Sequence, residues 1–310
     1  MTDERVKYLF VASTGGHLAQ LMRLSSGFNP ADDSLWVTFR SPQSEDLLAG
    51  RRTMFVPYVR SRDIRGVFRA WRQIRALLAR ESFDRVVSTG AAVALSALPT
   101  ARLRGIPTLY VESVSRVRGP SLTGRLIAFS RTAELQTQHP GWARGRWSAR
   151  ASVFGTYRAV PRATVERPSL FVTLGTIRGY RFDSVVDAVL STGLADNRTV
   201  WQVGETTRAG LPGTIVEQTS TDEFRDLATR SDVVVTHAGV GTILDLLELG
   251  IHPVVVPRRK HRKEHVDDHQ EQIAELVDLL GVARAAESTS LTAADIIAAS
   301  GMTVVHAEGS

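Results

Sequence analysis

The sequence predicts an α/β chain of two doubly wound, Rossmann-like domains facing a cleft, and three observations carry that expectation. Short β-branched or apolar runs recur at 7–12, 35–39, 85–88, 108–111, 170–174, 199–203, 232–236 and 253–256, with helical apolar spacing in most of the stretches between them. Strands alternating with helices give parallel sheets. Two of these runs open into turns of small residues, YLFVASTGGHL at 8–18 and LFVTLGTIRG at 170–179, which marks an approximate structural duplication. Between them, after a strand-like run at 151–154, the stretch GTYRAVPRATVERP at 155–168 mixes two prolines with charge and reads as a connection. The expected division is a first domain at 1–155, a linker at 156–168 and a second domain at 169–310. A doubly wound sheet binds ligands outside the carboxyl ends of its strands, so paired domains would place two ligand sites across one cleft.

Bulk properties narrow the function classes. A chain of 310 residues is long enough for two ordinary cores. It has no cysteine, which excludes disulfides and thiolate metal sites and fits a reducing cytoplasm. The apolar run ending before Ser13 is too short for a signal segment, and no stretch reaches about 18 uninterrupted apolar residues, so a soluble or peripheral protein is expected. The net charge of +6 hides an asymmetry: residues 1–150 carry 23 Lys+Arg against 11 Asp+Glu, and residues 151–310 carry 15 against 21. A basic half suits a polyanionic partner, whether nucleic acid, an anionic membrane surface or a phosphorylated substrate. No nucleic-acid motif or aromatic–basic interleaving supports the first of these.

Five segments carry candidate chemistry. Ser13-Thr14-Gly15-Gly16-His17-Leu18 lies between a strand and a helix. Gly15 and Gly16 allow close backbone approach to a phosphate, although a ligand-free tight turn reads the same way. His17 can hydrogen-bond a phosphate or take a proton from an acceptor hydroxyl. The strongest signal is SDVVVTHAGVGT at 231–242, a strand running into small residues and a helix. Amides of Gly239 to Thr242 and the Thr242 hydroxyl would face a diphosphate at the positive helix end. Asp245, one turn further, is either a ribose ligand or a partner of the helix dipole.

Past 252–257, the residues Glu264, His265, Asp267, Asp268, His269 and Gln270 either grip sugar hydroxyls or form a solvated charge run. They lack the spacing of a metal site, and no metal is expected. The cluster Arg258, Arg259, Lys260, Arg262 and Lys263 would suit a carboxylated sugar, or solvent. Asp63 to Arg80 reads as a basic amphipathic helix. Phe68 and Trp71 would enter an anionic headgroup layer beside Arg65 and Arg72, unless the helix merely exposes arginines. Arg116, Arg118 and Arg125 surround Gly119-Pro120-Ser121-Leu122-Thr123-Gly124, just after Glu112. Those arginines can hold phosphate and the carboxylate can act as a base, or they can form a structural ion pair.

Taken together, these segments resemble the bacterial exopolysaccharide and capsule glycosyltransferases related to the two-subunit dolichol-pathway N-acetylglucosaminyltransferase. STGGHLAQL, VSTGAAVALSALPTARLRGIPTLYVES and RVRGPSLTGRL look like its acceptor-side subunit. VTLGT, SDVVVTHAGVGTILDLLELG and VPRRKHRKEHVDDHQ look like its donor-side subunit, so the two resemble a fusion. A weaker likeness reaches the peptidoglycan transferase that makes lipid II. The resemblance implies a family 28-like GT-B fold and inverting transfer of a sugar from a UDP-sugar (N-acetylglucosamine, galactose or glucuronic acid) to a polyprenyl-pyrophosphate-linked saccharide. The setting would be cell-surface polysaccharide synthesis on the inner face of the cell membrane, with no cofactor. It further implies acceptor-side roles for Gly15, Gly16, His17 and Glu112. Donor-side roles fall to Thr176, His237, Gly239, Gly241, Thr242, Asp245, His269 and Gln270. Asp245 stands where several relatives carry Glu. A UDP-sugar epimerase of the same fold, or a noncatalytic recruiting subunit, are the rival readings.

Overall fold

The computed structural model describes residues 5–59, 63–175, 179–266 and 268–307. It forms two compact units, Met1–Val153 and Phe154–Ser310.

In the first unit the chain runs β1 (Tyr8–Ala12), α1 (Gly16–Ser25), β2 (Leu35–Phe39), α2 (Pro42–Leu47), β3 (Thr53–Val56), α3 (Ile64–Arg80), β4 (Arg85–Gly90), α4 (Ala94–Arg102), β5 (Thr108–Val111), α5 (Leu122–Ser130), β6 (Glu134–Thr137) and β7 (Trp147–Ala149). The strands form one sheet in the order β3-β2-β1-β4-β5-β6-β7, every neighbouring pair parallel. β1 is buried at all five positions, as a parallel strand covered on both faces must be. Right-handed crossovers from β3 through to β6 put α3, α4 and α5 on one face. There Ala70, Ile74, Leu98 and Ile127 pack with Leu9, Val11 and Val86 in a single core. On the α1 side, Phe10 stacks on Trp36 with ring centroids 4.5 Å apart.

The second unit runs β8 (Tyr157–Pro161), β9 (Leu170–Thr173), α6 (Asp183–Ser191), β10 (Val200–Gln202), β11 (Thr214–Val216), α7 (Thr221–Arg230), β12 (Val233–His237), α8 (Val240–Glu248), β13 (Val254–Val256), α9 (His269–Leu279), β14 (Arg284–Ala285), α10 (Ala293–Ser300) and β15 (Met302–His306). Its parallel sheet has the order β11-β10-β9-β12-β13-β14. Counted from the first strand of each sheet, both units therefore follow the winding 3-2-1-4-5-6, with a seventh strand added after the sixth in the first unit. Chain order reverses between β1 and β4 in one and between β9 and β12 in the other, and ligands of open α/β sheets bind at that reversal.

The expected linker is corrected. Residues 157–161 are a strand, β8, which pairs antiparallel with β15 from Tyr157 against His306 to Pro161 against Met302. The boundary falls earlier, at Val153–Phe154, and the 151–154 run is a turn rather than a strand, with Val153 and Phe154 buried. Alternating Tyr-Arg-Ala-Val suits a two-stranded ribbon with one wet face, and the prolines fall at the strand end and beyond it.

Candidate functional site

In the first unit, α1 begins without a side-chain cap. Its N-cap is Gly15, held at φ 77°, a conformation that disfavours any residue with a Cβ. His17, in the first turn, reaches across the reversal point to the end of β4. Its Nδ1 lies 2.7 Å from the carbonyl oxygen of Thr89, and the Thr89 hydroxyl donates back to the His17 carbonyl at 2.8 Å. A carbonyl only accepts, so Nδ1 carries the proton and Nε2 of the neutral ring keeps its lone pair. Burial is the main force holding the His17 pKa down, to about 4, with the nearby Arg116 charge acting the same way. The imidazole is thus neutral at pH 7 and presents a proton acceptor. Gly90, at φ 102°, makes room for it: a Cβ there would meet His17 Cε1 at 3.1 Å and the Tyr110 hydroxyl at 3.3 Å.

Glu112 takes a different role from the one expected. It is 1% exposed, and both oxygens are occupied. Oε1 accepts from the Tyr110 hydroxyl at 3.1 Å and the Ser113 amide at 3.2 Å, while Oε2 accepts from the Ser121 amide at 2.8 Å and hydroxyl at 3.0 Å. Burial raises its pKa against the pull of these donors. A carboxylate so enclosed fixes the turn ahead of α5, where Ser121 caps the Gly124 amide, and is not placed to receive a substrate proton. Arg116 and Arg118 lie on the loop that Glu112 anchors, Arg116 half-buried and Arg118 exposed. Gln20 was missed by sequence reasoning. Fully buried on α1, it donates to Gly16 O and Ser113 Oγ and accepts from the Val114 amide and Gln138, tying the glycine turn to the loop after β5. A glutamine on the apolar face of an amphipathic helix was the available signal.

The second unit repeats the arrangement with the partners exchanged. His237 ends β12, and its ring packs against glycines on both sides. A Cβ on Gly175, in the turn after β9, would stand 2.8 Å from the ring, and one on Gly239 would stand 2.3 Å from it. Burial first, then the charges of Arg258 and His265, lower the His237 pKa to about 3. Gly239 is the N-cap of α8 and offers no capping side chain. Gly239, Val240 and Thr242 remain partly exposed while Gly241 is buried, so the positive end of α8 is open to solvent. Asp245 lies half-exposed one turn in. Thr176 lies outside the described residues, as does Asp267.

Much of the polar cluster past β13 is structural, a second correction. The amide of Arg258 donates to Gln270 Oε1 at 3.0 Å, that of Arg259 to Glu264 at 3.0 Å and that of Lys260 to Asp268 at 2.9 Å. Three side chains thereby substitute for sheet partners along this loop. Gln270 is buried, its oxygen accepting from the Arg258 amide, and His269 is half-exposed at the start of α9. The basic cluster does not form a carboxylate cradle. Arg258 is buried, Arg259 pairs with Glu271 at 2.7 Å, and Arg262 lies 3.8 Å from Glu287.

On α3 the stripe Gly66, Ala70, Ile74 and Leu78 is buried, Ile64 and Phe68 are 83% and 55% exposed, and Trp71 stacks on Phe68 at 5.1 Å. Arg65, Arg69, Arg72 and Arg75 are exposed around them. On α5, in the same helical layer, Leu122 and Phe129 are exposed at 59% and 89% opposite buried Gly124 and Ile127, beside exposed Arg118, Arg125 and Arg131. Among the described residues no helix is long and apolar enough to cross a membrane. None of them groups three or more His, Asp or Glu in a metal-holding arrangement.

Two Rossmann-like α/β domains with these sites define the GT-B class. Solved structures agree: Acinetobacter baumannii MurG is 19% identical with a TM-score of 0.57, over 94% of this chain and 89% of that one. Residues 188–299 match the family model described as the glycosyltransferase family 28 C-terminal domain. The chain resembles that family in sequence as well. It is 44% identical over 55 residues to the UDP-N-acetylglucosamine transferase subunit ALG13 of Yarrowia lipolytica, covering 18% of this chain and 26% of that protein. A second relative, from Clavibacter michiganensis, is the UDP-N-acetylglucosamine--N-acetylmuramyl-(pentapeptide) pyrophosphoryl-undecaprenol N-acetylglucosamine transferase. It is 28% identical over 207 residues, 61% of this chain and 55% of that protein. The chain thus spans about a quarter and about half of these two relatives' lengths.

Proposed function

We propose that the protein is an inverting glycosyltransferase that moves a sugar, with UDP-N-acetylglucosamine the first donor to test, onto a polyprenyl-pyrophosphate-linked saccharide in cell-surface polysaccharide synthesis. The observation that carries the reading is the neutral His17, whose Nδ1 proton is committed to Thr89 O so that Nε2 is free to accept. The first unit binds the acceptor, its pyrophosphate facing the amides of the Gly15–Gly16 turn and the Arg116–Arg118 loop. His17 Nε2 takes the proton from the acceptor hydroxyl as that oxygen bonds to the anomeric carbon. The bond from that carbon to the UDP oxygen breaks on the opposite face, and UDP leaves with the electron pair. The second unit holds UDP with the α8 amides, the Thr242 hydroxyl and Asp245, and the charge developing on the leaving phosphate meets preoriented dipoles, with no step assigned to a metal. Gln270 and His269 would bind the sugar.

The exposed apolar and arginine-rich surfaces of α3 and α5 support docking on the anionic inner face of a cytoplasmic membrane, where a lipid-linked acceptor resides. The test supplies a lipid-pyrophosphate saccharide in anionic vesicles together with a UDP-sugar panel. Release of UDP should require both substrates. Sugar interconversion without acceptor would favour an epimerase, and donor binding without turnover a recruiting subunit; either outcome ends the transferase reading.

A further inference from the structure

One charged side chain of the second unit has no part in the reaction as described. Arg258 follows β13 and is 1% exposed. Its guanidinium donates to the carbonyls of Leu174, of Tyr180 at 3.1 Å and of Glu264 at 3.0 Å, and stands 4.8 Å from the centroid of the Phe182 ring. Its Nε has no hydrogen-bond partner among the described residues. Among the described residues no carboxylate forms a salt bridge with it: the Glu264 charge acts on it and opposes the effect of burial, but that side chain is bonded to the Arg259 amide and only its carbonyl to Arg258. Burial lowers the Arg258 pKa to about 10, so the group stays charged at neutral pH.

An unpaired buried cation costs several kcal/mol in general, and protein dipoles offset only part of that. Its placement is specific. Leu174 and Tyr180 both lie between β9 and α6, and Glu264 belongs to the loop that follows β13. One guanidinium therefore ties together the loops on either side of the end of β12, and its charge is felt at His237. Exposed Lys260 and Lys263 lie nearby in sequence, but charges in solvent are screened by salt, whereas a buried one is screened much less.

We propose that Arg258 is a positioning residue for the donor site and its buried counter-charge, drawing the two loops together and favouring the diphosphate of a nucleotide without touching it. This rests on the reading of the second unit as a UDP-sugar site. A unit charge about 10 Å away, acting through an effective dielectric near 20, changes the binding of another unit charge by roughly tenfold.

The test measures dissociation constants of UDP and uridine by calorimetry for the full chain, Arg258→Met and Arg258→Lys, at low and high NaCl. Arg258→Met should lower the preference for UDP over uridine by roughly tenfold while uridine affinity stays within about threefold. Arg258→Lys should keep most of the preference, and the preference of the unsubstituted protein should survive high salt. Equal loss of UDP and uridine in the Met variant would reduce Arg258 to packing and overturn the proposal. Collapse of the unsubstituted protein's preference in high salt would assign the charge to surface lysines, also overturning it, and this arm decides even if Arg258→Met does not fold. Failure of the unsubstituted protein to bind UDP at all would instead defeat the donor-site reading.

Discussion

If His17 is the base, the pH dependence of turnover should be displaced far from that of an ordinary histidine. Its pKa is held at about 4 by burial and by the Arg116 charge, with Nδ1–H fixed on Thr89 O. A histidine at the usual value near 6.5 would be only about 3% neutral at pH 5, whereas one at about 4 would be roughly 90% neutral there. The ratio of kcat/KM at pH 7 to that at pH 5 should therefore be close to one rather than about 25-fold. Below pH 5 the rate should fall with a midpoint near 4, the protonated ring having no lone pair to offer. His17→Gln should lower kcat by roughly 10²- to 10⁴-fold and abolish that acid limb, while UDP binding by the second unit is unchanged. Acceptor-dependent UDP release, followed with a folding check by circular dichroism at each pH, provides the assay. A midpoint near 6.5, or a Gln variant retaining more than about a tenth of the rate, would falsify the assignment.

Four further outcomes follow from the same geometry. Both buried-side histidines have folded pKa values below the unfolded value, so their stabilisation is complete above pH 6.5 and is lost as pH falls toward about 4 for His17 and about 3 for His237. Urea titrations at pH 7 and 5 should differ by about 1 to 2 kcal/mol per histidine, and each His→Ala variant should show a flatter slope. Glu112→Gln replaces an acceptor of four bonds with a group that must turn a donor toward Ser121 or Tyr110. It should cost about 1 to 3 kcal/mol of stability yet leave the shape of the pH–rate profile intact, whereas loss of the acid limb would restore Glu112 as a candidate base. Gly239→Ala should abolish UDP binding by forcing the His237 ring aside, and pairing it with His237→Ala should recover stability; purely additive effects would show that the contact is not the cause. Phe68→Ser and Phe129→Ser should each weaken binding to anionic vesicles several-fold without changing turnover on a soluble acceptor analogue, and unchanged vesicle affinity in both would remove α3 and α5 from the membrane surface.

The winding of both sheets was legible because buried parallel strands are nearly continuous apolar runs: YLFVA, LWVTF and VVVTH announce themselves without any tertiary information. Edge strands were less visible. Thr214–Val216 lies at the rim of its sheet with two of its three positions exposed, and Glu134–Thr137, one strand in from the edge strand β7, has an exposed glutamate and a half-exposed glutamine alternating with buried positions. The ribbon of β8 and β15 was hidden for another reason, since its two halves lie at opposite ends of the second unit and neither can be recognised without the other. Among site residues, glycine turns and the two histidines could be read from strand–turn–helix order alone. Glu112, Arg258 and Gln20 could not be assigned that way. Whether a carboxylate is a base or an anchor depends on which amides the fold delivers to it, and Ser121 is nine residues away. Arg258 looked like one member of a solvated basic run, yet the backbone turns it inward onto three carbonyls.

A single constraint accounts for the form of both histidine sites. At the reversal of a doubly wound sheet, the loops after the first and fourth strands diverge to opposite sides and leave a crevice. An imidazole entering that crevice must lie against the backbone of the other loop, and only glycine leaves the space: Gly90 for His17, and Gly175 with Gly239 for His237. The same enclosure removes water from the ring, which depresses both pKa values and keeps both imidazoles neutral across the physiological range. What separates the two is the hydrogen bond. His17 has a carbonyl at 2.7 Å that fixes one tautomer, whereas among the described residues the His237 ring's hydrogen-bonding neighbour is the Thr236 hydroxyl at 3.5 Å, too long to fix either. A ring with a fixed tautomer is suited to moving a proton, and one free to choose its tautomer can donate to a phosphate oxygen from either nitrogen. The proposed roles, proton transfer at His17 and phosphate contact at His237, thus rest on the neighbours that the two loops supply, since both rings are neutral and enter the reversal of their sheets from opposite sides, His17 after the first strand and His237 at the end of the fourth.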